Sequence, residues 1–351
     1  MRIDLQRHFF DSEHRTLLTH GNIAVTAFRY PSGVEALAVK NSRLDFVFTP
    51  FKGQQIWHLK VDGREISMQT PVTEPQNTMT YLKNYGGFLY HCGMISFGAP
   101  DAEHPHHGEI PNEIYDTAYI TADEDERGRY ITLGGSHEHN TAFIRHYRFS
   151  PELRLYEDGT VFEIDVTFEN LRAYPLEYMY LCHINFRPMD GARLVASTRY
   201  DSEHITIYRP TGSEKLDRYV AALEADPSLM NTVGGDGQCY DPEICFGITF
   251  EPDECGRAYT MQDTGDGACY VSHPTDVLPY AIRWISRTEN EDSMGMCLPA
   301  TGEHLGYQNA REKGQIKTLA PNASLKFRIE AGWLDKADAA RVAKKIERTL
   351  S

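Results

Sequence analysis

Residues 161–168 read Val161-Phe162-Glu163-Ile164-Asp165-Val166-Thr167-Phe168, and from Phe162 onward apolar and polar side chains alternate. A period of two sends successive side chains to opposite faces of a β-strand. The preceding run, residues 153–156, also favours a strand, and Asp158-Gly159 between the two runs is a typical turn sequence. Together these residues predict a β-hairpin, and they favour a fold made mainly of β-strands.

Similar short runs recur on both sides of this hairpin. They cover residues 23–28, 36–39, 44–48, 55–60, 118–121, 130–133, 143–149, 244–250, 268–271, 280–285 and 325–329. A second hairpin turn is predicted at Val61-Asp62-Gly63-Arg64. Helical signals are confined to residues 216–223 and to residues 336–350, where apolar residues follow the spacing of an amphipathic helix. No repeat, low-complexity tract or linker divides the chain, so we expect one β-sandwich domain over residues 1–351.

Residues 70–111 lack this alternation and are rich in glycine, proline, histidine and asparagine. A long irregular segment inside a compact protein usually carries function or is disordered. Its five aromatic residues argue against disorder. We therefore expect an ordered loop system that lines a cleft.

The charge balance limits the class of partner. The 351 residues contain 35 Lys and Arg against 50 Asp and Glu, for a formal net charge of −15. Proteins that bind nucleic acids or anionic membranes need a positively charged surface, and this acidic composition disfavours one. A small neutral or cationic molecule is the expected ligand, and the sequence says nothing about the oligomeric state.

Compartment signals favour the cytoplasm. The seven cysteines contain no CxxC pair and suggest reduced thiols rather than a disulfide framework or a zinc knuckle. The N-terminal residues lack the apolar stretch of a signal peptide, and no apolar run is long enough to span a membrane.

Two histidine segments are the main candidates for a site. His183 and Asn185 close the long β-rich run that ends at Phe186, and their spacing places both on one face of a strand. A histidine can give or take a proton near neutral pH, although a structural hydrogen-bonding role is the commoner one. His104, His106 and His107 form the second segment and could hold a divalent ion, with His107-Gly108-Glu109 favouring instead a histidine on a tight turn.

A third candidate lies near the C-terminus, in residues 298–304, followed by Arg311-Glu312. Glu303 and Arg311 could act on a substrate from a loop. A solvated charged surface explains such residues equally simply.

In order along the chain, five short motifs resemble those of the aldose 1-epimerases, the galactose mutarotase-like β-supersandwich enzymes. They are residues 53–64, Tyr85-Gly86-Gly87-Phe88 through His91-Cys92-Gly93-Met94, His107-Gly108, His183-Ile184-Asn185-Phe186 and Pro299-Ala300-Thr301-Gly302. The resemblance spans roughly residues 20–332 and implies a divergent branch with a β-supersandwich and a short C-terminal helix.

The resemblance also implies a reaction, the opening and reclosing of a sugar hemiacetal ring without a cofactor. His183 would be the general acid at the ring oxygen, and His107 would bind or polarise the sugar. Further contacts to the sugar are expected from Asn185, His91, His106, Glu109, Lys83 and Arg311.

Two family features are displaced in this chain. Ala323 stands where the family has its glutamate base, which leaves Glu303, Glu330, Glu109 and Asp116 as possible substitutes. No arginine lies between Thr70 and Pro111, where the family has one that clamps the sugar, and Lys83 is the only cation there besides histidines.

Three hypotheses follow. The first is an anomer-interconverting isomerase. The second is a sugar-binding protein that kept the cleft and lost the chemistry, as Ala323 suggests. The third is a metal-assisted enzyme that uses the His104–His107 loop on a modified sugar.

Overall fold

The computed structural model describes residues 1–208 and 212–351, and strands dominate it. The first strands are β1 (Arg2–Asp4), β2 (Arg15–His20), β3 (Ile23–Arg29), β4 (Glu35–Lys40), β5 (Leu44–Thr49), β6 (Gln55–Val61), β7 (Arg64–Glu65), β8 (Leu89–Met94), β9 (Thr117–Asp125), β10 (Gly128–Thr141) and β11 (Arg145–Tyr156). The remaining ones are β12 (Val161–Asn170), β13 (Leu176–Ile184), β14 (Arg193–Ala196), β15 (Ile205–Tyr208), β16 (Ile244–Thr249), β17 (Arg257–Asp263), β18 (Gly267–Pro274), β19 (Tyr280–Arg287), β20 (Asp292–Ala300), β21 (Lys317–Leu319) and β22 (Ser324–Asp335). The α-helices are α1 (Glu214–Ala225), α2 (Tyr307–Glu312) and α3 (Lys336–Leu350). The expected mainly β fold is confirmed.

The strands form two large antiparallel sheets. The first has nine strands in the order β1-β9-β10-β11-β12-β22-β18-β17-β14. The second has thirteen strands and runs β15-β16-β19-β20-β13-β8-β6-β5-β4-β3-β2, with β21 beside β13 and β7 beside β6. The predicted hairpin forms the centre of the first sheet, where β11 and β12 pair with Leu153 opposite Ile164.

The main core lies between the two sheets. Phe46 of the second sheet meets Phe162 of the first edge to face at a centroid distance of 5.1 Å, and Tyr180 meets Phe327 in the same way at 5.3 Å. These pairs bury apolar side chains from the inner face of each sheet, as in other β-sandwiches.

A smaller apolar cluster covers the other face of the thirteen-stranded sheet. It combines strand residues such as Leu181, Ile282 and Leu298 with Tyr81 and Phe97 from the segment 70–111. That segment is therefore ordered and packs on the sheet, as predicted. It also contains β8, which the sequence analysis did not identify, because all six residues of β8 are buried and therefore show no alternation.

The C-terminal helix α3 is confirmed. Its buried residues Ala339 and Ile346 pack with Tyr259 and Tyr270 on the outer face of the nine-stranded sheet. The short helix predicted at residues 216–223 is also present, as part of the longer α1. Among the described helices, none combines the length and the apolar character needed to cross a membrane.

Candidate active site

A pocket of about 320 Å³ opens on the outer face of the thirteen-stranded sheet. Its floor is formed by strand residues of β13, β19, β20 and β16, and its walls come from residues 81–85, 98–107 and 304–305. The volume lies at the lower end of the range for small-molecule sites. Side chains from distant parts of the chain meet here because β16, β19, β20 and β13 are consecutive neighbours in the sheet.

His183 lies on the floor of this pocket near the end of β13. Its Nδ1 lies 2.7 Å from Asn185 Oδ1, and Asn185 Nδ2 donates to the carbonyl of Gly87 at 3.1 Å. With the amide placed in this way, Oδ1 can only accept, so Nδ1 carries the proton and Nε2 of the neutral ring keeps a lone pair. Burial lowers the pKa of His183 to about 3, against a smaller opposing effect of the Asn185 hydrogen bond.

Asn185 therefore touches His183 rather than the pocket. Its side chain is fully buried, and the Tyr85 hydroxyl also donates to its Oδ1 at 3.2 Å. The structure gives Asn185 the geometry of a positioning residue, which fixes both the orientation and the tautomer of the imidazole.

His107 and His106 line the opposite wall. The ring of His107 lies 5.3 Å from that of His183 and 4.6 Å from that of His106, measured between centroids. His107 adopts a left-handed φ of 59°, and the next residue, Gly108, has a φ of 85°. The carbonyl oxygens of Ser96 and Gly93 lie so close to the Cα of Gly108 that no side chain would fit there. Burial lowers the pKa of both histidines, so both imidazoles are neutral near pH 7.

Aromatic side chains supply most of the remaining surface. Tyr85 packs edge to face against His183 at 5.4 Å and lies 5.8 Å from Trp284, while Tyr81 stacks on His106 at 5.4 Å. Flat aromatic faces beside hydrogen-bonding imidazoles suit a ligand that has both apolar C–H faces and hydroxyl groups.

Two polar residues of the lining were not predicted as site residues. Glu243 precedes β16, and its Oε2 accepts a hydrogen bond of 2.6 Å from Trp284 Nε1. His304 follows the predicted Glu303, and burial lowers its pKa although Glu243 acts in the opposite direction. Within residues 1–208 and 212–351, Glu243 is the one carboxylate that lines the pocket, and no lysine or arginine does.

The other acidic candidates lie outside this lining. Glu303 binds Lys313 Nζ at 2.7 Å and Gln315 Nε2 at 3.3 Å, and Glu330 is on β22 of the other sheet, where it accepts from the Tyr270 hydroxyl. Glu109 turns inward to accept from the backbone nitrogens of Met94 and Ile95 and from the Tyr147 hydroxyl, and burial raises its pKa to about 7. Asp116 accepts from the backbone of Glu138, on strand β10.

The remaining predicted sugar contacts are also elsewhere. His91 faces the core on the opposite side of the sheet, with its Nδ1 2.7 Å from the Tyr180 hydroxyl. Lys83 and Arg311 are exposed and do not line the pocket. The structure thus brings together His183, His107 and His106 from the predicted set, with Asn185 behind them.

The three histidines proposed as metal ligands do not converge. His104 Nδ1 lies 2.9 Å from Asp101, and its ring stacks on Tyr307 at 4.4 Å, away from His106 and His107. In the described part of the chain, the one group of three close potential ligand atoms belongs to Asp253, Glu254 and Cys255, outside the pocket.

Several solved structures have the same fold as this chain. A protein of Klebsiella pneumoniae subsp. pneumoniae MGH 78578, provisionally called an aldose 1-epimerase, superposes with a TM-score of 0.82 at 19% identity, over 100% of this chain and 92% of its own. A galactose mutarotase-like protein of Clostridium acetobutylicum gives a TM-score of 0.60 at 14% identity, over 90% and 100% of the two chains. One of Lactobacillus casei ATCC 334 gives 0.52 at 14% identity, over 85% and 99%.

These similarities establish the galactose mutarotase-like fold that the sequence motifs implied. The comparison with curated proteins found no match. A family model described as "Domain of unknown function (DUF4432)" matches residues 31–332. The chain therefore belongs to the DUF4432 family, and its fold is that of the galactose mutarotase-like proteins.

Proposed function

We propose that this protein interconverts the anomers of an uncharged sugar by acid–base catalysis in the His183 pocket. The observation that carries the proposal is the convergence of His107 and His183. They are the histidines of the two motifs that resemble aldose 1-epimerases, and their rings lie 5.3 Å apart in one pocket.

The pocket is suited to a single sugar ring. Its volume of about 320 Å³ is small for a larger ligand, and Tyr85 and Trp284 offer aromatic faces for the C–H groups of a pyranose. Neutral imidazoles can both donate to and accept from hydroxyl groups, which is what a sugar requires. The absence of lysine and arginine from the described lining, together with the single carboxylate, disfavours phosphorylated and acidic sugars.

In this reaction the C1–O5 bond of the ring breaks as C1 and O1 form a carbonyl. The O1 proton leaves to a base, and O5 receives a proton from an acid. We assign the acid role to Nε2 of His183 in its imidazolium form, while Asn185 holds Nδ1–H. His107, close to His183, would hydrogen-bond the sugar. Rotation about C1–C2 and reversal of both proton transfers give the other anomer.

Saturation-transfer NMR over a panel of free aldoses tests the proposal. We expect exchange between α and β anomers faster than the buffer blank for at least one sugar. His183→Gln should remove it, whereas His8→Ala, a change at an exposed histidine outside the pocket, should not. Identical rates for wild type and blank across the panel would refute catalysis.

A non-catalytic sugar-binding protein is the second candidate. Two observations favour it: Ala323, on the turn before β22, offers no carboxylate, and burial keeps His183 neutral at pH 7. Saturable sugar binding in the same samples, without any gain in exchange rate, would establish this role.

A further inference from the structure

We infer that Glu243 is the base that removes the proton from the anomeric hydroxyl, in place of the carboxylate that Ala323 cannot supply. This inference rests on the proposed function. It assigns the base to the strand pair β16–β19, instead of the turn before β22.

The position of Glu243 in the fold supports this role. Glu243 directly precedes β16. Cys245, the second residue of that strand, pairs with Trp284 of β19. Trp284 Nε1 donates to Glu243 Oε2 at 2.6 Å, and the same indole lies 5.8 Å from the ring of His183. One indole therefore holds the carboxylate by a hydrogen bond and also packs against the ring of the candidate acid.

The carboxylate keeps the capacity to react. Two oxygens offer about four acceptor positions, and the indole uses one of them. Glu243 is exposed at the pocket mouth, so a sugar can reach it without the carboxylate leaving water beforehand. A carboxylate bound by lysine, as Glu303 is by Lys313, would instead have to break an ion pair before accepting a proton.

The electrostatics agree with this geometry. The titratable side chains that face Glu243 are Tyr85, Cys245, His106 and His304. Burial raises the pKa of Tyr85 and Cys245, and the negative charge of Glu243 raises it further. Burial lowers the pKa of His106 and His304, and Glu243 partly opposes that decrease. Among the described residues of the lining, no lysine or arginine pairs with this carboxylate.

The step balances with this pair. A Glu243 oxygen forms a bond to the proton of O1, the O1–H electron pair becomes the second C1–O1 bond, and the C1–O5 pair moves to O5. O5 then takes the proton of His183 Nε2. The products are the open-chain aldehyde, a protonated Glu243 and a neutral His183. Ring closure on either face of C1 returns both protons.

Glu243→Gln tests the inference, because glutamine keeps the size of the side chain and an oxygen for Trp284 but accepts protons poorly. We expect kcat for anomer exchange to fall about 10²- to 10⁴-fold, the usual contribution of a general base, with KM within about threefold of wild type. The matched control is Glu251→Gln, two residues beyond the other end of β16 and outside the pocket, which should leave both constants unchanged.

Other results lead to other conclusions. A Glu243→Gln variant that keeps its kcat, with or without a raised KM, overturns the inference and leaves the proposed function intact. A wild-type protein that accelerates exchange of no sugar in the panel overturns both. Thermal melts that match between Glu243→Gln and wild type ensure that a loss of kcat reports chemistry rather than unfolding.

Discussion

Replacing Asn185 with aspartate is predicted to increase activity at neutral and alkaline pH. In the wild-type protein the neutral amide of Asn185 accepts the Nδ1 proton of His183 at 2.7 Å, and burial holds the pKa of the imidazole near 3. An adjacent carboxylate favours the imidazolium and shifts a pKa upward by about 1–3 units. The Asn185→Asp variant should therefore hold a larger fraction of His183 in the acid form that the proposed ring-opening step requires.

The size of the gain can be worked from these values. At pH 8 the imidazolium fraction of wild type is about 10⁻⁵, and an upward shift of 1–3 units raises it to about 10⁻⁴–10⁻². A weaker acid transfers its proton less readily, and we take roughly half of the logarithmic gain to be lost in this way. The expected net increase in kcat/KM is about 3- to 30-fold.

The substitution also has a structural cost. Asn185 Nδ2 donates to the Gly87 carbonyl, and an aspartate oxygen facing that carbonyl would lose this bond, at about 1–3 kcal/mol of folding free energy. The assay is anomer exchange measured by NMR between pH 7 and 8, with urea denaturation as the check on folding. Asn185→Leu, which removes the side-chain oxygen that accepts from Nδ1–H at 2.7 Å, should decrease kcat/KM. A folded Asn185→Asp protein with equal or lower kcat/KM than wild type would refute proton donation by His183.

Three further predictions concern pH, charge and stability. Because burial lowers the pKa of His183 to about 3, its protonated fraction falls tenfold per pH unit, and kcat/KM should decline steeply from pH 5 to pH 8; a flat profile would contradict the acid role. A sugar phosphate or uronic acid should bind about 10- to 100-fold more weakly than the neutral parent sugar. Repulsion between its negative charge and Glu243 is worth about 1–3 kcal/mol, and no lysine or arginine in the described lining offsets it. Equal affinities in titration calorimetry would contradict this prediction. Lys345 Nζ reaches the fully buried carboxylate of Asp253 at 2.6 Å, so Lys345→Met should lower the free energy of unfolding by about 1–2 kcal/mol. The same change at the exposed neighbour Lys344 should leave it unchanged. Coincident urea curves for wild type and both variants would contradict this prediction.

The sequence predicted the parts of the fold whose burial is one-sided. Residues 161–168 and 336–350 each have one buried face, and their periods of two and 3.6 identified β12 and α3 directly. Strand β11 was predicted as two runs, residues 143–149 and 153–156, and the structure joins them through Pro151. The proline pairs with Val166 of β12, while the ladder between β10 and β11 skips Ser150 and Pro151.

Within the site, the sequence indicated the residues that carry a local signal. His107 precedes a glycine in a turn, and His183 ends a recognisable strand, so both stand out in one dimension. Glu243 is a single acid before a strand, and nothing in its neighbourhood distinguishes it from other surface acids. In residues 298–304 the sequence analysis selected Glu303 rather than the adjacent His304. The two side chains diverge, because His304 lines the pocket and Glu303 binds Lys313.

The position of Glu243 depends on strand order, which no local pattern encodes. In the order β16-β19-β20-β13, the strand that follows Glu243 and the strand that carries His183 are separated by three spacings, or about 14 Å of sheet. The side chains of Glu243 and His183 line the same pocket above β19 and β20. Ile282 of β19 and Leu298 of β20 form the floor of that pocket. Ring opening needs a base and an acid that converge on one carbon, because O1 and O5 are both bonded to C1. A carboxylate just before β16 can meet that requirement as well as one on the turn before β22, so an alanine at position 323 is compatible with the proposed reaction.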